Sequence, residues 1–163
     1  MDWDKHLAYE INELCRDLDR LYESWPGMHG ATPTPWERPE AVAYFEALLV
    51  HARNLIEFFV VGPVKHENAL TPGDFGLGHH NYDAARARFR DGVGWNVEAM
   101  YSMICTYVSH LSKERDVELP YWPLQPLVET LTEEADLFTR AAEQIGNALP
   151  LTCAAIADAG LVD

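Results

Sequence analysis

The chain has 163 residues, a length that fits one domain, and 48% of them are hydrophobic, which suffices for a single core. Its 26 acidic and 12 basic residues give a formal net charge of −14. An average surface of this sign repels phosphate and excludes non-specific nucleic-acid binding driven by counterion release, whereas it favours a basic partner. We therefore expect one domain over residues 1–163 and no general affinity for nucleic acids.

Four stretches place large apolar residues at alternating spacings of three and four, which is typical of helices that turn one stripe towards neighbouring helices. The stripes are Leu7, Ile11, Leu14, Leu18, Leu21 and Trp25; Phe45, Leu48, Ala52, Leu55 and Phe59; Val97, Met100, Ile104, Tyr107 and Leu111; and Leu124, Val128, Leu131, Ala135, Phe138, Ala142 and Ile145. The sequence therefore predicts an all-α protein in which four long helices form a bundle, with one or two additional short helices.

The first long helix is expected over residues 4–25, because Pro26 and Gly27 follow it. The second is expected over residues 39–61, since the missing N–H of Pro39 suits a first helical turn, although Thr34 and Glu37 also match a capping box. This second helix is the most apolar, so we expect it to be central.

The rest of the chain divides at glycine and proline residues. Residues 62–81 are expected to form a long irregular segment, and such segments are usually functional or mobile. A short helix is predicted over residues 81–91, and a third long helix over residues 96–115. The fourth follows Trp122 and Pro123 and continues to Gly146, after which Pro150 begins a terminal turn.

The three cysteines, Cys15, Cys105 and Cys153, form no short CxxC pair. An odd number of separated cysteines is typical of reduced, intracellular thiols. The amino terminus begins with acidic residues instead of a basic and then apolar signal sequence, and no apolar run is long enough to cross a bilayer. We expect a cytoplasmic protein that does not associate with membranes.

Polar residues at the edges of the two middle stripes are the candidate ligand-binding residues: His51, Arg53, Asn54, His110 and Arg115. Both histidines lie beside apolar stripes, where partial burial can shift an imidazole pKa across neutrality. Arg115 falls in line with an apolar stripe and requires a partner. One interpretation is a polar pocket for an anionic or nucleotide-like ligand. The other is structural, with the histidines bridging helices and Arg115 pairing with a carboxylate.

Other charged groups are candidate sites. Arg86, Arg88 and Arg90 could hold an anion or form a solvated helix face. His79 and His80, with His66, Glu67, Asp74 and Asp83 near them in sequence, match no specific metal motif, and no Glu-x-x-His or HExxH occurs. The carboxylates Glu133, Glu134 and Asp136 are expected to face solvent. No catalytic residue, metal site or cofactor is predicted.

Two segments carry a family resemblance: EALLVHARNLIEFF at residues 46–59 and HLSKERDVELPYWPL at residues 110–124. They are similar to a group of uncharacterised bacterial helical proteins in which an LLHARNLIDFF-like helix precedes an HLT-x-x-R helix end and a tryptophan. The helix order also resembles the HEPN superfamily, which implies a bundle that is often dimeric and that serves in ribonucleases or in nucleotide-binding partners of toxin–antitoxin and defence systems.

The chain departs from HEPN ribonucleases in one respect. Those enzymes carry an arginine followed, after four to six residues, by a histidine, and no arginine here has a histidine at that distance. We therefore expect a non-catalytic protein that forms a homodimer and binds a protein partner or a small anionic or nucleotide-like ligand. The alternatives are an atypical HEPN-type ribonuclease or defence component, and an acidic mimic of nucleic acid.

Overall fold

A computed structural model describes residues 3–26, 38–62, 69–78, 80–109 and 122–146. Over these ranges the chain is helical apart from short connections and contains no strand, which confirms the all-α prediction. The helices are α1 (Trp3–Ser24), α2 (Pro39–Ile56), a π-helical turn (Glu57–Val61), a short 3-10 helix (Pro72–Phe75), α3 (Tyr82–Val93), α4 (Val97–Ser109) and α5 (Leu124–Gln144).

Most predicted helix boundaries agree with these bounds to within a few residues. Pro39 occupies the first turn of α2, as expected, and Asn81 begins α3 by accepting the Ala84 N–H through its side-chain oxygen at 3.0 Å. Asn96 caps α4 in the same way through the Ala99 N–H, at 3.1 Å. The expected end of the third long helix at residue 115 and the terminal turn at Pro150 lie outside the described residues.

The end of α2 widens into the π-helical turn. The N–H of Gly62 donates to the carbonyl of Glu57, five residues earlier, at 2.9 Å. Phe58, Phe59 and Val60 are all buried in this turn, although three consecutive residues of a regular helix would spread over most of its circumference. Gly62 then leaves the helix with a φ of 91°, a backbone conformation that favours glycine.

The predicted apolar stripes form the core. Their described members are buried, with two exceptions at helix ends: Trp25 is half-buried, and Ile145, predicted to belong to the last stripe, is 51% exposed. The prediction that Ile145 belongs to the core is wrong. Helix α5 ends at Gln144, so the side chain of Ile145 projects from the helix terminus. Leu111 lies outside the described residues.

Helix α2 packs against α1, α4 and α5, in agreement with its expected central position. Helices α1 and α2 run in opposite directions, since Arg20 lies over the ring of Tyr44 whereas Glu10 reaches His51, further along α2. Helices α3 and α5 approach closely at Gly92. A Cβ added to this glycine would lie only 2.4 Å from Oγ1 of Thr130.

Two further expectations concern cysteines and membranes. Cys105 is a free thiol, whereas Cys15 is disulfide-bonded, so the expectation of reduced thiols throughout is wrong for Cys15. None of the described helices combines the length and the apolar character that a membrane crossing requires.

Candidate functional site

A polar cluster lies between α1 and α2. We call it the α1–α2 cluster, and it consists of Glu10, Asp17, His51, Arg53 and Asn54. The centre is Oε2 of Glu10, which lies 2.7 Å from Nδ1 of His51 and accepts a hydrogen bond from Nδ2 of Asn54 at 3.1 Å. An ionised carboxylate can only accept hydrogen bonds, so Nδ1 of His51 carries the proton. Glu10 thereby joins two of the predicted site residues to α1.

The second nitrogen of His51 faces Asp17. Nε2 lies 3.8 Å from Oδ2 of Asp17, which is close enough for electrostatic attraction but too long for a hydrogen bond. The side chains of His51 and Asp17 are 13% and 5% exposed. Glu10 and Asp17 are two helical turns apart on one face of α1, so the imidazole lies between two carboxylates from the same helix.

Burial and charge act in opposite directions on these groups. Burial alone lowers the pKa of His51, but the hydrogen bond to Glu10 and the negative charges of Glu10, Asp17 and Glu13 outweigh it and raise the pKa above the usual 6.5. Burial also raises the pKa of Asp17 above 3.8, and the attraction of His51 offsets this only in part. The cluster therefore favours a protonated His51 imidazole. Ionisation of the buried Asp17 carboxylate beside it costs more than ionisation of an exposed aspartate.

Arg53 extends the cluster along α2. One of its terminal nitrogens donates to Oδ1 of Asn54 at 3.3 Å, and the same amide is fixed by Glu10. The Arg53 side chain is half-buried, yet it forms no ion pair with a carboxylate of the described ranges. An anion that reached this guanidinium would form charge-assisted hydrogen bonds, so Arg53 is the group of this cluster that can accept one.

The structure brings together His51, Arg53 and Asn54 of the predicted ligand-binding set. His110 and Arg115 lie outside the described residues. Sequence reasoning missed Glu10 and Asp17, the two carboxylates that position His51. The signal that could have revealed them is their spacing of seven residues, which puts both carboxylates on one face of α1 beside its apolar stripe. A partly buried histidine such as His51, on a neighbouring helix, needs such polar partners.

The arginines of α3 have different environments. Nε and a terminal nitrogen of Arg88 contact the two carboxylate oxygens of Glu134 at 2.6 and 2.8 Å. Glu134 is only 2% exposed, so the expectation that it faces solvent is wrong. Its position on α5 faces α3, where Arg88 compensates the buried charge. Glu133 is exposed as expected, whereas Asp136 is half-buried.

A third polar contact lies where α4 meets the π-helical turn. The hydroxyl of Tyr101 donates to Oε1 of Glu57. Burial, followed by the hydrogen bonds and charges of Glu57 and Cys105, raises the pKa of Tyr101 above its usual value. Tyr101 is therefore a neutral hydrogen-bond donor that holds the π-helical turn against α4.

The described members of the histidine and carboxylate set considered for metal binding make structural contacts. His80 contacts the carbonyl of Phe59 through Nε2 at 2.6 Å, Asp74 accepts hydrogen bonds from Thr71, and Asp83 pairs with Arg86. Within the described ranges no group of three or more histidine, cysteine, aspartate or glutamate side chains is arranged to hold a metal ion. His66, Glu67 and His79 lie outside these ranges.

Comparisons of the chain with protein-family models, with curated proteins and with solved structures found no match. Function is therefore inferred from the residues and their geometry.

Proposed function

We propose that this protein is a non-catalytic helical bundle whose α1–α2 cluster binds an anionic group of a protein partner or of a small nucleotide-like ligand. The observation that carries the proposal is Arg53, which is half-buried and paired only with the neutral Asn54 amide in the described part of the chain. A carboxylate or phosphate that met this guanidinium would form the charge-assisted hydrogen bonds that it lacks.

His51 supports this proposal through its charge. The raised pKa keeps the imidazole protonated further into the neutral range, and the protonated ring offsets part of the negative charge of Glu10 and Asp17. When His51 is protonated, the α1–α2 cluster carries less net negative charge. An anion that approaches Arg53 is therefore repelled less by Glu10 and Asp17. We expect binding to weaken as the pH rises and His51 loses its proton.

The surroundings of His51 also favour binding over catalysis. A general base needs a nitrogen within hydrogen-bond reach of the substrate. In this cluster Nδ1 is bonded to Glu10, and Nε2 points towards the buried Asp17. Both positions suit a histidine that bridges two helices, which leaves Arg53 as the contact for a ligand.

The binding experiment is a titration with AMP at constant ionic strength, followed through the backbone amide resonances of Arg53 and Asn54. The proposal predicts a saturable change in the wild type that Arg53→Gln weakens by about tenfold or more, since it removes a charge-assisted contact. Arg140→Gln is the matched control, because Arg140 is an exposed arginine on α5 outside the cluster. The absence of a saturable change in the wild type would reject the nucleotide-like ligand.

The alternative enzyme is an atypical HEPN-type ribonuclease or defence component, in which Arg53 holds phosphate and His51 transfers a proton. It is tested with purified protein and RNA, with and without a divalent metal. Robust turnover that His51→Ala abolishes would overturn the non-catalytic proposal. Sedimentation analysis tests the homodimer that the HEPN resemblance implies, and a monomer at all concentrations would contradict it.

The acidic-mimic hypothesis requires carboxylates in an extended free stripe. Glu10, Glu13 and Glu134 are paired with His51, Arg16 and Arg88 and would not contribute to such a stripe, so the mimic remains the second alternative. The cytoplasmic location remains our proposal from the sequence, and the disulfide at Cys15 weighs against it because cytosolic proteins rarely retain disulfides. Thiol trapping in intact cells tests the location, since a cytoplasmic protein should expose Cys15 as a thiol after unfolding.

A further inference from the structure

A cavity of about 250 Å³ lies between α3 and the beginning of α4, away from the α1–α2 cluster. Its lining includes two arginines of α3 and the first residues of α4. The lining residues are Asp83, Arg86, Ala87, Arg90, Asn96, Val97 and Glu98. The volume is small for an organic ligand site, so the cavity suits a compact molecule.

Arg86 supplies an unused hydrogen-bond donor at this cavity. Its terminal nitrogens are occupied by Asp83 at 3.2 Å and by the carbonyl of Val61 at 2.9 Å. Its Nε is buried and has no hydrogen-bond partner in the structure, since Oε1 of Glu98 is 3.9 Å away. A buried donor without a partner is uncommon, and a small movement of the Arg86 side chain would bring this Nε, which solvent does not reach, to an acceptor in the cavity.

Arg90 adds a second positive charge on the same face, one helical turn from Arg86. Its contact with Asp91 is 3.4 Å long and exposed, so the guanidinium can turn to another anion at little cost. The carboxylates of Asp83 and Glu98 are 94% and 62% exposed, and solvent screens their repulsion just as it screens the attraction of Arg90, whose side chain is 67% exposed. Ala87 and Val97 provide an apolar part of the wall.

We propose that this cavity binds a small oxyanion, a phosphate or a carboxylate, through Arg86 and Arg90. One oxygen accepts from Nε of Arg86, Arg90 contacts the remaining charge, and a short apolar part of the molecule can pack on Ala87 and Val97. Arg88, between them in sequence, is turned to Glu134 on α5 and takes no part. The proposal is independent of ligand binding at the α1–α2 cluster.

The test is a titration of the full chain with inorganic phosphate and, separately, with acetate, at an ionic strength held constant with sodium chloride. The backbone amides of Ala87 and Val97 report on the cavity by nuclear magnetic resonance. We expect saturable changes with at least one anion, and the anion that binds more tightly identifies the preferred head group. Saturation with neither anion, or equal changes with chloride alone, would overturn the proposal.

Two variants separate a built site from general charge attraction. Arg86→Gln should weaken binding by about tenfold or more, because it removes the charged donor. Ala87→Leu should block binding while retaining both arginines, because the larger side chain fills the cavity. Arg140→Gln, an exposed arginine on α5, should bind like the wild type. If Arg86→Gln binds the anion as tightly as the wild type, the proposal is contradicted, whether or not Ala87→Leu folds.

Discussion

The Arg88–Glu134 ion pair joins α3 to α5 and allows a quantitative test of their packing. Replacing Arg88 with methionine keeps an unbranched apolar stem but removes the guanidinium that contacts both oxygens of Glu134. The carboxylate then stays at a position where its side chain is 1% exposed, without its partner. An uncompensated buried charge is among the most destabilising changes a single substitution can make.

The expected magnitude follows from the burial of the two partners. Removing one partner of a fully buried ion pair costs about 3–5 kcal/mol. The Arg88 side chain is 42% exposed, so water can enter the space it leaves and solvate part of the Glu134 charge. We therefore expect Arg88→Met to lower the free energy of unfolding by about 2–3 kcal/mol, below the range for a fully buried pair.

The measurement is urea denaturation at neutral pH, followed by far-ultraviolet circular dichroism. Two variants serve as comparisons. The double variant Arg88→Met with Glu134→Met replaces both partners by apolar groups and should lie within about 1 kcal/mol of the wild type. Arg140→Met removes an exposed arginine from α5 and should leave stability unchanged. A loss below about 1 kcal/mol for Arg88→Met, or a double variant that is equally unstable, would refute this account of Glu134.

Three further predictions concern packing and pH. Gly92→Ala places a Cβ 2.4 Å from Oγ1 of Thr130. The overpacking should cost about 1–3 kcal/mol, and the better helix propensity of alanine should return about 1 kcal/mol. We therefore expect the free energy of unfolding, measured by thermal unfolding, to fall by about 0–2 kcal/mol. Together with Thr130→Ala, the same substitution should instead stabilise. Leu131→Ala, at a fully buried position, should cost about 2–5 kcal/mol in urea denaturation. His51→Gln should remove a pH-dependent part of the stability, measured by unfolding at a series of pH values.

The sign of the His51 effect follows from its raised pKa. Its stabilising contribution is complete below the unfolded value of 6.5 and is lost as the pH rises through the folded value. The advantage of the wild type over His51→Gln should therefore shrink above pH 6.5, and a constant or growing advantage would contradict the geometry. For Gly92→Ala, a loss that Thr130→Ala leaves unchanged would show that the two helices do not meet there.

The helices were predictable because their signals are local. Pro39 suits only the first turn of a helix, and the three- and four-residue spacings place Leu48, Leu55 and Ile104 in the core, where the structure has them. Ile145 satisfied the same spacing but lies beyond the end of α5. Periodicity carries no information on where a helix ends, so burial is predicted least reliably for the last residue of a stripe.

The candidate site was only half predictable. His51 and Asn54 were recognisable as polar residues beside an apolar stripe, but their partner Glu10 lies 41 residues before His51 in the sequence. Pairing across that distance depends on the relative rotation and offset of α1 and α2, which no local pattern specifies. Glu134 was missed for the same reason, because its burial depends on the packing of α3 against α5 and its partner Arg88 lies on another helix.

The π-helical turn makes the chain length at the end of α2 significant. Deleting one residue between Glu57 and Gly62 would allow the last turn to return to regular α-helical hydrogen bonding. The π-helical turn holds one residue more than an α-turn over nearly the same rotation, so the chain from Gly62 onward would keep almost the same direction around the helix axis. The shortened turn would either lose one of the buried side chains Phe58, Phe59 and Val60 or, if Val61 were removed, spread them over about 200° of the helix. In this protein, the residue count in that turn is therefore as much a structural constraint as the identity of the side chains.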